Sequence, residues 1–273
     1  MVSVKSGEYI SLDMRDYDYD IDDLPYLTSV SKSSTYLRGT FSDGTRISID
    51  GTGFTYDKST GIPNGGEIRS LTVSEYGGDE IGSISGLHLA VRDVARVAQT
   101  ESISDDIALV KSTLAGNDSI YGGRYADILL GYKGNDLLSG KAGNDKLYGG
   151  DGNDSLYGGA GHDYLNGGAG ADTFIFRSIS DSTYASAGRD TIYDFSSQDR
   201  IDLSAIDANQ KVAGNQAFAY IGKSAFHGVS GELRFEKQAS DTYIYGDVNG
   251  DKKADFSIHL DDAVDIYKAY FFL

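Results

Sequence analysis

Apolar and polar positions follow three successive rhythms along this chain. Up to about residue 86 the rhythm is two-fold. In "STYLRGTFSDGTRISIDGTGFTYD" apolar and polar residues alternate, with Asp43-Gly44 and Gly51/Gly53 as punctuation. Such alternation predicts strands joined by tight turns, an antiparallel meander. "GIPNGGEIRSLTVSEY" continues it, with Asn64-Gly65 as a turn. Upstream, "DMRDYDYDIDDL" reads either as a cation site or as a solvated strand edge whose charges block edge-to-edge pairing, and the second reading is preferred.

From residue 87 the rhythm predicts helix. Leu87, Val91, Val94 and Ala98 fall on one helical face. A second short helix is expected over "SDDIALVKSTL", where Ser104 can cap it and Asp105 and Asp106 suit its positive end. This pair stands directly before a repetitive region. The first rung of a stacked repeat exposes apolar surface that must be covered, so residues 87–115 are expected to act as a helical cap.

The third rhythm has a period of nine. Asp118, Asp127, Asp136, Asp145, Asp154, Asp163 and Asp172 recur at that spacing, and each is followed two places later by Ile120, Leu129, Leu138, Leu147, Leu156, Leu165 or Phe174. In "GGDGNDSLY" the glycines at the first, second and fourth places permit a tight turn. The triplet Ser155-Leu156-Tyr157 then predicts a three-residue strand that buries one side chain. Two copies complete one circuit with a strand on each side, so stacked circuits form two parallel sheets around the seven apolar residues. Copy n then lies over copy n+2.

That stacking puts like charges together. Strands in register are about 4.8 Å apart, and two carboxylates at such a distance repel by roughly 1 kcal/mol in water and by more in a drier turn. Five aspartate pairs lie eighteen residues apart, 118/136, 127/145, 136/154, 145/163 and 154/172. Each requires a cation between its members. Carboxylates and inward-turned glycine carbonyls make an all-oxygen donor set, which fits Ca2+ rather than zinc, with magnesium second. The expected carbonyl donors are Gly131, Gly134, Gly140, Gly143, Gly149, Gly150, Gly152, Gly158, Gly159, Gly161, Gly167, Gly168 and Gly170. Four copies depart from the glycine pattern, with Thr113-Leu114, Tyr125, Tyr132 and Lys141 in glycine places. The best pairs are expected at the end of the array, and the pair using Asp127 is the weakest.

Bulk composition narrows the function. The chain has 273 residues, enough for one large or two to three modest domains, and a formal charge of −17 from 41 acidic and 24 basic residues. Such a surface repels phosphate backbones, so no nucleic-acid partner is expected. No apolar run is long enough for a membrane span, and the start lacks the features of a cleaved signal peptide. With no cysteine, disulfides and thiolate metal sites are excluded.

The nonapeptide "GGDGNDSLY" resembles the calcium-binding repeat of the repeats-in-toxin (RTX) family. The resemblance implies a parallel β-roll with Ca2+ held between turns by the aspartates and turn carbonyls. Downstream, "ADTFIFRSISDST…GRDTIYDFSSQDRIDLSAID" keeps the nine-residue phase through Asp181, Asp190 and Asp199 without the glycines. With "GDVNGDKKADFSIHL" it is similar to the C-terminal domain of serralysin-type proteases, and it is expected to close the roll's far end. Asp190 and Asp199 are candidates for one further ion. The acidic spacing in "DVNGDKKADFSI" partly mimics a calcium loop, but it lacks that loop's glycine and terminal glutamate, so a hairpin is preferred. In the resembled family an end such as "DDAVDIYKAYFFL" is an uncleaved signal read by a type I exporter. From the residues alone, such an end is more often a buried last strand, and beside these repeats the export signal is preferred.

The resulting expectation is a mainly β chain. It comprises a β-rich domain over 1–86, a helical cap over 87–115, an RTX β-roll over 116–175 and a capping and secretion-signal domain over 176–273. It is expected to be secreted and extracellular, to bind about five Ca2+, one per aspartate pair, and to act as a binding, adhesion or matrix protein with polysaccharide or a cell surface as partner. A polysaccharide-acting enzyme or accessory module with its site in the N-terminal domain is the alternative. The four histidines, His88, His162, His227 and His259, do not form the zinc helix of a metalloprotease.

Overall fold

The computed structural model describes residues 27–33, 36–41, 46–56, 63–74, 80–90 and 115–273. The chain divides into two compact units, residues 1–121 and 122–273. Predicted turns and alternating runs in the first unit become an antiparallel meander. It consists of β1 (Leu27–Lys32), β2 (Tyr36–Phe41), β3 (Arg46–Tyr56), β4 (Pro63–Ser74) and β5 (Glu80–Ala90), each paired with the next. β6 (Ser119–Tyr121) pairs antiparallel with β5, Ile84 opposite Ile120.

β5 corrects the helical reading at its start. Leu87 to Ala90 continue the strand, with Leu89 opposite Ile68 and Ala90 opposite Glu67. Leu87 and Leu89 alternate with His88 and Ala90, so a two-fold period fits these residues as well as a helical one. The long partner strand β4 resumes pairing with Leu89 and Ala90 beyond a register irregularity between Ile68 and Ser70, and the ladder wins. The rest of the expected cap, residues 91–114, lies outside the described residues.

The second unit is the roll and its closing layer. The roll strands are β7 (Ile128–Lys133), β8 (Leu137–Ala142), β9 (Lys146–Asp151), β10 (Ser155–Ala160), β11 (Tyr164–Ala169) and β12 (Thr173–Ile175). Beyond them come β13 (Thr191–Ile192), β14 (Arg200–Asp202), β15 (Ala219–Gly222), β16 (Glu232–Lys237), β17 (Thr242–Asp247), β18 (Phe256–Leu260) and β19 (Phe271–Phe272). One sheet of this unit runs β8-β10-β12-β14-β19, and the other runs β15-β16-β17-β18-β13-β11-β9-β7. Strands in the roll are parallel and register at eighteen residues, as in Leu156 opposite Leu138 and Leu165 opposite Leu147. Most of them are six residues long rather than three, because pairing continues through the turn, for example Gly159 opposite Lys141.

Register stacks the apolar positions in two columns. Leu138, Leu156, Phe174, Ile201 and Phe271 follow one another across the first sheet. Leu129, Leu147, Leu165, Ile192 and Leu260 do so across the second. All ten are buried, eight of them completely. Burial of each leucine contributes roughly 1.5–3 kcal/mol, so the columns rather than the short strands hold the two sheets together.

After β12 the register changes from eighteen to twenty-seven, with Thr173 opposite Arg200 and Tyr164 opposite Thr191. Nine residues around Asp181 leave the stack as a loop that includes a single 3-10 turn at Ser186–Gly188. β16, β17 and β18 then form antiparallel hairpins against β13, and β19 adds the last strand alongside β14. The aromatic chain end is therefore a strand at the roll's far edge that buries Phe271, with Ile266 buried just before it, and leaves Phe272 exposed.

Truncation of a column residue tests this core. Leu156→Ala is expected to lower the stability of the calcium-loaded chain by about 2–5 kcal/mol, read from urea unfolding. The same change at exposed Val229 is expected to have little effect.

Candidate metal centre

Every repeat aspartate from Asp136 to Asp172 is at least 98 % buried, which is unusual for a carboxylate. The turns explain how this is tolerated. The Asp127 N–H donates to Asp145 Oδ1 at 2.8 Å, Asp145 to Asp163 at 2.8 Å, and Asp163 to Asp190 at 2.9 Å. On the other side Asp136 donates to Asp154 at 2.7 Å, Asp154 to Asp172 at 2.8 Å, and Asp172 to Asp199 at 2.9 Å. Odd and even copies thus build two separate columns. Asp118 lies in the first unit and is buried. Asp127 is half-buried, and its Oδ2 accepts from Gly123 N–H at 2.8 Å.

One oxygen of each stacked carboxylate is therefore committed to register. The other is not. Oδ2 of Asp145, Asp154, Asp163 and Asp190 is buried with no hydrogen-bond partner among the described residues. A buried, unsatisfied carboxylate oxygen is costly, and its recurrence at the same place in four turns identifies a cation cradle rather than a packing flaw.

The glycines frame that cradle. A Cβ at Gly140 would lie 2.1 Å from Asp145 Oδ2 and 2.6 Å from the Gly158 carbonyl oxygen. At Gly149 the corresponding distances are 2.3 Å to Asp154 Oδ2 and 2.6 Å to the Gly167 carbonyl, and at Gly131 they are 2.4 Å to Asp136 Oδ2 and 2.5 Å to the Gly149 carbonyl. Gly158 and Gly167 face Asp163 and Asp172 Oδ2 in the same way. Carboxylate and carbonyl oxygens of successive rungs converge where a side chain would otherwise stand.

Gly134, Gly143, Gly152, Gly161 and Gly170, at the fourth place, all have positive φ. A Cβ at Gly152 would fall 1.7 Å from the Gly134 carbonyl oxygen one rung earlier. At Gly150, Gly159 and Gly168, in the second place, a Cβ would fall 2.2, 2.1 and 2.1 Å from carbonyl oxygens of the preceding rung. Tyr132 and Lys141 occupy this second place in their copies and keep the left-handed backbone, with φ of 69° and 73°. These two departures from the repeat pattern thus preserve the turn at a local cost in strain.

Electrostatics agree with the geometry. Burial, opposed by the Asp127 amide and reinforced by Asp163 and Asp127, pushes Asp145 up to about 7. Burial likewise carries Asp154 to about 7, and Asp163 and Asp172 to about 6. Asp190 is driven well above the ordinary carboxylate range, by burial first and the Asp163 charge second. Without a cation the column favours protons. With only oxygen donors at hand, the fitting cation is a hard one that accepts many oxygens, as Ca2+ does.

Asp190 and Asp199 join the columns, but not as a pair. Asp190 stands next to Asp163 and Asp199 next to Asp172, on opposite sides. Asp199 Oδ2 is also used, accepting from Ser196 N–H at 2.6 Å. Asp181 keeps the nine-residue phase yet caps its own loop, accepting from the Arg177 and Ser178 amides. The acidic loop after β17 is a hairpin to β18, as preferred. Asp247 accepts from the Gly250 and Lys252 amides, and Asp255 from the Val248 and Asn249 amides, so both carboxylates are occupied by their own turn.

Two features escaped the sequence reading. An asparagine ladder flanks the aspartates, with Asn135 Oδ1 accepting from Asn153 N–H at 2.8 Å and Asn144 and Asn153 accepting from the His162 and Ala171 amides. Its signal is the recurring Gly-Asn-Asp triplet. Asp194, outside the nine-residue phase, accepts from the Gly167 and Gly168 amides and so closes the last glycine turn on its side.

Two parallel sheets around stacked Gly-Asp turns with an oxygen-only cradle define a calcium-binding β-roll protein of the RTX class. Residues 92–267, more than half of the chain, match the family described as Peptidase M10 serralysin C terminal, and the chain belongs to that family, a class of secreted proteins. Similar solved structures include the AlgE6R3 subunit of the mannuronan C5-epimerase from Azotobacter vinelandii. It is 29% identical, covers 57% of this chain and 77% of that one, and has a TM-score of 0.26. The AlgE6R2 subunit of the same enzyme is 25% identical over 58% and 89%, with a TM-score of 0.32. Extracellular lipase LipA from Serratia marcescens is 17% identical over 92% of this chain and 31% of its own, with a TM-score of 0.32. The search of curated proteins gave no match. Among the described residues, no helix is long and apolar enough to cross a membrane.

Two outcomes follow for the turns. Gly152→Ala, which drives a methyl into a backbone carbonyl, is expected to weaken calcium binding and lower the melting temperature. Alanine at Gly116, where a Cβ meets nothing within 4 Å, is expected to leave both unchanged. The raised carboxylates set a pH dependence for the metal-free chain. Their stabilising contribution is full below the ordinary value of 3.8 and is lost as pH rises through about 6 to 7. In chelator, the roll should therefore melt higher at pH 4.5 than at pH 7.5, whereas calcium affinity should fall over that same descent in pH.

Proposed function

We propose that this chain is an extracellular binding or matrix protein whose repeat region folds when it meets calcium outside the cell. Asp118, Asp127, Asp136, Asp145, Asp154, Asp163 and Asp172, with the carbonyls of the turn glycines, hold the ions, about one per stacked pair. Asp190 and Asp199 extend the two columns singly rather than sharing one ion. The reading rests on the buried, unpartnered Oδ2 atoms repeated in register.

Bound calcium supplies positive charge between stacked carboxylates. Everything else comes from the chain. The aspartate amides set the rung spacing, the glycines leave room for the oxygens, and the leucine columns gain burial only once the turns close. Where calcium is scarce at neutral pH, the buried carboxylates repel one another when charged and folding must draw protons to them, which favours an open, exportable repeat region. Where calcium is plentiful, its binding free energy becomes folding free energy. The aromatic C-terminal strand is, on this reading, also the segment engaged by a type I exporter before the roll closes over it. The N-terminal meander is the part proposed to contact polysaccharide or a cell surface.

Circular dichroism of the full chain in chelator, followed by calcium titration, tests the coupling. Strand signal should rise on titration, and Asp154→Asn should shift the midpoint to higher calcium. A spectrum and melting temperature indifferent to chelator would refute the folding switch.

A further inference from the structure

Away from the glycine turns, one end of the eight-stranded sheet gathers ligand atoms of a different kind. Alternation along β18 and just beyond it puts His259 and Asp261 two residues apart on one face. Pairing of Tyr243 with His259 and Thr242 with Leu260 brings Asp241, at the start of β17, opposite Asp261. One ligand atom from each of Asp241, His259 and Asp261 lies within 4.8 Å of the others. Asp261 is exposed, and Asp241 and His259 are partly so, which leaves the group open to solvent.

The imidazole separates this group from the acidic surface elsewhere. Its Nδ1 lies 3.1 Å from Thr191 Oγ1, and Thr191 is buried on the adjacent strand β13. Tyr243 stacks on the ring at 4.8 Å between centroids and 14° between planes. Ring position and tilt are thereby held from two directions. If Nδ1 carries the proton and donates to the threonine hydroxyl, the Nε2 lone pair points at Asp241 Oδ1, 2.8 Å away. A lone pair facing a carboxylate oxygen is favourable only with a cation there, a proton or a metal. Two carboxylates and a neutral imidazole balance a dication, whereas one proton leaves the group with a negative charge.

We propose that Asp241, His259 and Asp261 form a second, chemically distinct cation site, selective for zinc over calcium. One nitrogen and two oxygen donors with a position open to water match zinc's usual three-ligand arrangement, and imidazole is a poor ligand for calcium. Thr191 is a positioning residue that holds the ring's orientation and can accept from Nδ1–H when Nε2 binds the metal. Zinc here ties the turn before β17 to the end of β18. No residue of the glycine turns takes part, so the outcome is independent of theirs.

The test is isothermal titration of the full chain with Zn2+ in saturating calcium, which keeps zinc from the turn carboxylates. A single zinc step is expected. His259→Ala should abolish it, Asp261→Asn should weaken it about tenfold or more, and Thr191→Val about tenfold. Co2+ in place of zinc should give visible absorption that His259→Ala loses, while His162→Ala and His227→Ala retain it. Circular dichroism checks that each variant keeps its fold, and Asp261→Asn, at an exposed position, serves if His259→Ala does not. Absence of a zinc step in the unsubstituted chain, or a step that survives both His259→Ala and Asp261→Asn, overturns the proposal.

Discussion

A carboxylate that lends one oxygen to the amide of the preceding rung and leaves the other over is the interaction on which the roll depends. The committed oxygen sets the vertical spacing, since each aspartate N–H donates to the aspartate one rung on. The spare oxygen sets the electrostatics, because it is buried beside like charge. Asparagine in the same place could keep the first role, as the neighbouring Asn135 does, but it removes the charge that the second requires, and glutamate carries its oxygens too far from the backbone of a tight turn. Glycine follows from the same geometry, because only its missing side chain lets carbonyl and carboxylate approach. Strand, turn and ion site are thus one constraint expressed three ways.

The period of nine made much of this legible. Leu138, Leu147, Leu156, Leu165 and Phe174 were readable as core because a fixed spacing behind each aspartate can face only one side of a short strand. Isolated residues were less readable. Asp181 keeps the phase but sits in a loop, since phase says nothing of whether a strand has a neighbour to pair with. Asp190 and Asp199 look adjacent in sequence terms, yet one circuit puts consecutive copies on opposite sides. Leu87 to Ala90 satisfied two periods at once, and only the length of β4 decided between them. Asp194 has no repeating partner, so nothing in the pattern distinguishes it from surface acid.

Contrast with the hairpin after β17 shows what a buried acid needs. Asp247 is as deeply buried as Asp163, but its own turn supplies amides to both oxygens, from Gly250 at 2.6 Å and Lys252 at 2.9 Å. That turn is complete without an ion. The roll turns are built one donor short. The difference between the two loops is an architectural choice about where a dissociable component is required, made within a single sheet.

The looped-out residues around Asp181 carry a further meaning. Because one circuit consumes two copies, the array has a reading frame of eighteen residues, and losing or gaining a lone copy inside the stack would exchange the two edges for every rung downstream. The detour between β12 and β13 adds nine residues without that exchange, since it leaves the stack and rejoins it on the expected side. Length changes in such a solenoid are therefore admissible in pairs of copies within the coil, or singly if extruded, and β13, β14 and β19 can cap the same two edges in either case.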